Sequence, residues 1–191
     1  NLLFFSNNKN KISEVKKLFK GSGVKLYSLD DFEKIKEPKE TGVTFVENAK
    51  IKSLCGYKLF KIPCFADDSG ICINALNDNP GVKSKRFFSK FLSKKNTFNN
   101  ILNKTKESKN KAAYFKTSIC LTLNEGEHII FEGKINGTIS NFPLGKNGFG
   151  YDPIFIPNGQ NKTYGQMTQT QKNTLSHRSL AINKLLGFVV S

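Results

Sequence analysis

"FADDSGICINAL", Phe65 to Leu76, sets Asp67 and Asp68 side by side between two apolar runs. The chain has only six aspartates against thirty basic residues, so two adjacent acids at the edge of a buried stretch need a reason. The stretch reads as strand, turn and strand, with Ser69 and Gly70 supplying the turn. Side chains alternate across a strand, so both acids face one cleft only if that turn twists them. Carboxylates that met there would raise one another's pKa or require a cation.

Outward from this stretch the pattern alternates. Phe4 and its neighbours make a first strand, and "LLFF" is far too short for a signal peptide. Ile12, Val15, Leu18 and Phe19 follow at helical spacing, ended by Gly21 and Gly23, and "VKLYSL" gives a second strand. From Thr44 the spacing is helical again until Pro63 stops it. Residues 84–104 read as helices rich in Lys and Phe. "AYFKTSICLTL" and "HIIFEGKINGTI" read as an antiparallel pair joined through the turn at Asn124–Gly126. A Gly/Pro-rich loop from Pro143 to Pro157 precedes a last helix, expected from Asn173 to Leu186 and ended by Gly187. The fold class is α/β, a mixed central sheet with flanking helices.

The 191 residues suffice for one domain with a sizeable core, and 38 % hydrophobic with 24 % charged content is ordinary for a globular protein. No apolar run approaches the roughly 20 residues of a membrane span. Cys55, Cys64, Cys72 and Cys120 form no Cys-x-x-Cys pair, which disfavours zinc and points to free thiols in a reducing, cytoplasmic setting. The net charge of +15 raises the question of nucleic acid. Only Arg86 and Arg178 are arginines, however, and the lysines are strewn through almost every segment. A reader of bases uses arginine forks, so no specific nucleic-acid partner is expected. The charge can still draw in anionic small molecules.

Four stretches could carry chemistry. "SNNKNK", Ser6 to Lys11, lies between the first strand and first helix, where free backbone N–H groups favour an anion and Lys9 and Lys11 add charge. An Asn-capped turn explains the same residues. The acids Glu40, Glu47, Asp67 and Asp68 are hard-oxygen candidates for a divalent cation, although "TFVE" also makes Glu47 the N3 member of a capping box on Thr44. "GKNGFGYDP", Gly145 to Pro153, combines glycines for close approach with two aromatic rings, which either stack on a base or pack on the core. "KNTLSHR", Lys172 to Arg178, opens the last helix with Ser176, His177 and Arg178 as donors. No Gly-x-Ser-x-Gly elbow exists, which disfavours a serine hydrolase.

Taken in order, "SNNKNKISEV", "ETGVTFVENAKIKS", "ADDSGICINALNDNPGVKSKRF", "FGYDPIFIP" and "KNTLSHRSLA" resemble the inosine triphosphatase-like family, the non-canonical purine nucleoside triphosphate pyrophosphatases, over nearly the whole chain. The resemblance implies one two-lobed domain over residues 1–191 with the active-site cleft between the lobes, and a homodimer. It implies Mg²⁺-dependent hydrolysis of ITP, dITP and XTP, small-molecule substrates, to monophosphate and pyrophosphate. Ser6, Asn7, Asn8, Lys9, Asn10 and Lys11 would hold the triphosphate. Glu40 and Asp68 would bind metal, with Asp68 also the general base; Asp67, read from its position alone, is expected only to support the turn. Ser69 would touch the substrate, and Phe149, Gly150, Tyr151 and Asp152 would stack on and border the base. Lys172, His177 and Arg178 would close over the nucleotide. Three positions depart from the family pattern: Asn7 and Lys85 where small residues are usual, and Gln166 where an acid is usual.

Overall fold

Ile12, Val15 and Phe19 lie on one face of the first helix, α1 (Lys9–Phe19), and bury it; Asn8 caps its N-terminus. In the computed structural model, which describes residues 1–33 and 35–191, this helix joins the parallel strands β1 (Leu2–Phe4) and β2 (Leu26–Ser28). Helix α2 (Phe45–Phe60) starts at the Thr44 cap and ends at Lys61, whose φ of 55° is left-handed, two residues before Pro63. Then comes β3 (Cys64–Ile73), parallel to β1 with Phe4 opposite Phe65.

The turn expected at Ser69–Gly70 does not form. β3 runs unbroken through Ser69 and Gly70, and the turn is a 3₁₀ segment at Asn74–Leu76. Gly70 serves close approach rather than turning: a Cβ there would lie 2.2 Å from the Gly81 carbonyl oxygen and 2.5 Å from Ser84 Oγ.

The two-residue strand β4 (Asn79–Pro80) pairs antiparallel with the end of β3. Helices α3 (Ser84–Lys90) and α4 (Lys94–Glu107) follow, as the Lys/Phe-rich pattern indicates. Strands β5 (Ala112–Asn124) and β6 (Glu127–Ile139) are sheet neighbours joined by two residues, which makes them antiparallel. β7 (Phe155–Pro157) pairs antiparallel with β6. The sheet order is β2-β1-β3-β5-β6-β7, with β4 on β3, so the mixed α/β class holds.

The expected single last helix is two. Helix α5 (Gln169–Leu175) is separated from α6 (His177–Val189) by Ser176 in an extended conformation. Gly187 does not end α6; it lies inside, where a helical glycine costs only about 1 kcal/mol.

The chain divides into two compact units. The first comprises Asn1–Asp68, Thr117–Gly133 and Arg178–Ser191. Its central strands are buried on both faces, as parallel strands usually are. Leu2, Phe4 and Phe65 pack with Phe19, Ile119, Leu121, Ile182 and Leu185, while Leu3, Phe5, Cys64 and Ala66 pack with Leu29. The second unit comprises Ser69–Lys116 and Lys134–His177, around Ile71, Ile73, Ile101, Phe115, Phe155 and Tyr164. The four cysteines are free thiols. Among the described residues, no helix is long and apolar enough to cross a membrane.

Candidate active site

In the first unit, Asp67 and Asp68 are both buried at the middle of β3, and each has its own partners. Both Asp67 carboxylate oxygens receive the Lys11 ammonium, at 3.1 and 3.0 Å, and Oδ2 also accepts from Arg178 Nε at 3.3 Å. Burial pushes the Asp67 carboxyl up, but Lys11, Arg178 and Lys52 outweigh it and hold the group well below the usual carboxylate range. Asp68 instead accepts from Asn48 Nδ2 at 3.0 Å. Burial, joined by the like charge of Glu40, raises its pKa against the pull of Lys52, Lys11 and Asn48. Adjacent acids therefore sit in opposite electrostatic states.

Helix α2 supplies the next layer. Asn48 and Lys52 are one turn apart and share the buried face with Phe45, Ala49, Ser53 and Gly56. Asn48 Oδ1 accepts from Gly42 N at 2.8 Å, which orients the amide so that Nδ2 meets Asp68. Lys52 Nζ donates to the Asp67 carbonyl at 2.6 Å and to Glu40 Oε1 at 2.8 Å. Burial opposes the Lys52 charge, yet Asp67, Asp68 and Glu40 together raise its pKa. Lys11 moves the other way, lowered by burial with Lys52 and Arg178, against Asp67 and Asp68. Glu47, by contrast, is a capping residue: its Oε2 accepts from Val43 N and Thr44 N, and Thr44 Oγ1 accepts from Glu47 N.

The turn Ser6–Lys11 is an Asn-capped helix start. Asn8 Oδ1 accepts from Asn10 N and Lys11 N, and Ser6 Oγ accepts from Asn8 N at 3.2 Å. Its two lysines separate, Lys11 reaching Asp67 while exposed Lys9 pairs with Asp30. Asn7, also exposed, donates to the Ile35 carbonyl at 2.8 Å.

In the second unit, Lys172 and Asp152 form a buried ion pair of 2.7 Å. Asp152 Oδ2 also accepts from Phe149 N at 2.8 Å, and the Lys172 ammonium lies 4.8 Å from the Phe149 ring centre. Gly148 permits this, since its φ is +72° and a Cβ would fall 2.0 Å from Asp152 Oδ2. Phe149 and Gly150 are half-buried. Tyr151 is a core residue whose hydroxyl donates to the Ser84 carbonyl at 2.7 Å and whose ring meets Phe88 edge-on. His177, at the start of α6, stacks on Phe115 with ring centres 4.6 Å apart. Ser69 is half-buried. Of the departures, Gln166 makes the same local cap an acid would, its Oε1 accepting from Thr163 N at 3.0 Å, and Lys85 is exposed.

Arg178 belongs to the first unit, where its Nη1 pairs with Glu14 and its Nε with Asp67, all three side chains being buried. No motif in the sequence singles out Glu14, Asn48 or Lys52. The available signal was position: each falls on the apolar face of its helix, where a polar residue is buried only with a partner.

Glu40 and Asp68 are the hard-oxygen donors here that could contribute to holding a magnesium ion. Mg²⁺ is commonly held by one or two carboxylates plus substrate phosphates. The like charge of Glu40, which also accepts from Lys52, adds to the burial that raises the Asp68 pKa, and Asp68 is buried. No group of three or more His, Cys, Asp or Glu suited to hold a metal occurs among the described residues, so phosphate oxygens would have to complete the shell.

The chain is 37 % identical over 190 residues to a dITP/XTP pyrophosphatase of Flavobacterium johnsoniae, covering 100 % of this chain and 98 % of that one. It is 40 % identical over 186 residues to a dITP/XTP pyrophosphatase of Leptospira interrogans, covering 96 % and 94 %. A solved HAM1 protein from Coxiella burnetii superposes with a TM-score of 0.88 at 34 % identity, covering 98 % of this chain and 97 % of that one. The sequence profile of the Ham1 family matches residues 2–188, and on that match the chain belongs to the Ham1 family.

Proposed function

We propose that this chain hydrolyses non-canonical purine nucleoside triphosphates, ITP, dITP and XTP, to the monophosphate and pyrophosphate. The relatives' activity supports the substrate class. The observation that carries the chemistry is a buried carboxylate of raised pKa, Asp68, in the field of the Lys11 and Lys52 ammonium groups. A base works best when its pKa approaches the working pH, and burial moves Asp68 in that direction. Asp68 takes the proton of a water whose oxygen bonds to the α-phosphorus; the α–β bridging P–O bond breaks and pyrophosphate leaves. Lys11 and Lys52 neutralise phosphate charge, and the Ser6–Asn10 turn positions the triphosphate. Glu40 and Asp68 would hold Mg²⁺, which when bound neutralises phosphate charge. Phe149 would stack on the base, with Tyr151 and Gly150 bordering it and Lys172, His177 and Arg178 closing over the nucleotide. A site donor aimed at a 6-oxo group rejects adenine, because the amino group there leaves it unpaired.

The cellular role is clearance of such triphosphates from the nucleotide pool, in a reducing cytoplasm to which the four free thiols are suited. The assembly proposed is a homodimer, checked by light scattering. The deciding experiment measures pyrophosphate from dITP and XTP beside dATP and dGTP, with and without Mg²⁺. Selective pyrophosphate release from dITP and XTP is expected. Orthophosphate from ATP with no cleavage of the non-canonical substrates would overturn the reading.

A further inference from the structure

Glu14 has no place in the reaction as proposed, yet it is a buried carboxylate, which the fold keeps only with a partner. It sits on α1 at 4 % exposure, one turn after Lys11 on the same helical face, and it meets the Nη1 of Arg178, itself 2 % exposed. Arg178 turns its Nε to Asp67 Oδ2, and Asp67 holds the Lys11 ammonium through both oxygens. The path thus leaves α1 at Glu14, passes through Arg178 and Asp67, and returns to α1 at Lys11.

A lone buried carboxylate is expensive, and a lysine ammonium is a compact charge on a flexible stem. The guanidinium is rigid and planar, so fixing it at Glu14 fixes the direction from which it holds Asp67. Asp67 has two ways of reaching the cations around Asp68: its carboxylate sets Lys11, and its carbonyl accepts from Lys52. Asp68, the next residue of β3, shares that backbone.

We propose that Glu14 is a positioning residue, which through Arg178 and Asp67 sets the place of the Lys11 ammonium beside Asp68. It touches no substrate. The proposal rests on the pyrophosphatase reading above for its kinetic consequence, and on geometry alone for its structural one.

The test compares Glu14→Gln and Glu14→Asp with the unaltered protein in two measurements. The first is steady-state hydrolysis of dITP. Misplacing a charge by an ångström costs on the order of 100-fold in rate, so kcat of Glu14→Gln is expected to fall about 10- to 100-fold, and KM is expected to rise as well because Arg178 is also placed over the nucleotide. Glu14→Asp, which keeps the charge, is expected to recover part of the loss. The second is the ¹⁵N-resolved NMR signal of the Lys11 ammonium without nucleotide, assigned with Lys11→Arg; it should shift or broaden in Glu14→Gln. A folded Glu14→Gln with unchanged kcat, or one whose kcat falls while the Lys11 signal stays put, overturns the proposal. If Glu14→Gln does not fold, Glu14→Asp decides by the same two readings, a kcat equal to the unaltered protein's counting against. Failure of the unaltered protein to cleave any triphosphate is a different result and sinks the functional reading instead.

Discussion

Asp68 is asked to be ionised where burial opposes it, and its stability and its chemistry therefore pull apart. Burial and Glu40 place its folded pKa above its unfolded value of about 3.9. Such a group favours the fold only while protonated, at low pH, and that contribution is lost as pH rises through the folded pKa. At pH 7 the ionised side chain is a burden on the fold. Asp68→Asn should thus raise Tm at pH 7 in metal-free buffer, with the gain shrinking toward pH 4. The same variant should lose on the order of 10³-fold in kcat, the scale of removing a general base. Calorimetry and pyrophosphate release read the two effects. A lower Tm at pH 7 would contradict the electrostatic account, and a near-normal kcat would remove Asp68 from the chemistry. Asp67 behaves oppositely: its depressed pKa gives stability above the unfolded value that is lost only as pH falls through the folded one. The adjacency of the two acids was legible in the sequence, but their division of labour was not. It depends on Lys11, Arg178 and Asn48, which approach from elements remote in sequence.

At the scale of elements, patterning carried what local spacing decides and missed what packing decides. Helix α2 was legible from Thr44 onward because its capping box is local: Thr44 Oγ1 and Glu47 Oε2 satisfy each other's backbone N–H groups. Thr44→Ala should therefore cost about 1 kcal/mol, some 2–4 °C in Tm for a chain of this size, while kcat at 25 °C is retained. A comparable drop in kcat would show that the cap also tunes Asn48 and Lys52. The turn expected at Ser69–Gly70 failed for the opposite reason. Serine followed by glycine is turn chemistry in sequence, yet here glycine makes room for the Gly81 carbonyl and Ser84. Ser84 Oγ accepts from Ile71 N at 2.9 Å and donates to the Gly81 carbonyl at 2.6 Å, so that contact cannot slide. Gly70→Ala should destabilise by several degrees or fail to fold, unlike Gly187→Ala, whose Cβ meets nothing within 4 Å. Thermal melts of the two variants check this, and equal Tm values would refute it. The break between α5 and α6 escaped for a similar reason, since Ser176 is extended with no proline or glycine to announce it.

For the whole molecule, the charge of +15 acts in two directions through one variable, ionic strength. Thirty basic residues share fifteen acids, and the most deeply buried of those acids are committed inside, Glu14 and Asp67 to Arg178 and Asp152 to Lys172. What remains outside is an excess of lysine over acids, relieved by exposed pairs such as Lys16–Asp31 and Lys104–Glu107 that contribute little. The surface repels itself, and salt screens surface charges over about 10 Å at 0.1 M while reaching buried pairs far less. Raising NaCl from 20 to 200 mM should therefore raise Tm. Over the same range kcat/KM for dITP should fall, because the field that destabilises the fold also draws a triphosphate in, whereas kcat, set by the buried groups, should change much less. A Tm that falls with salt would mean that the exposed pairs outweigh the repulsion. A kcat/KM indifferent to salt would mean that the excess lysine plays no part in capture, and would leave the half-buried Lys11 and the buried Lys52 as the cations the substrate meets.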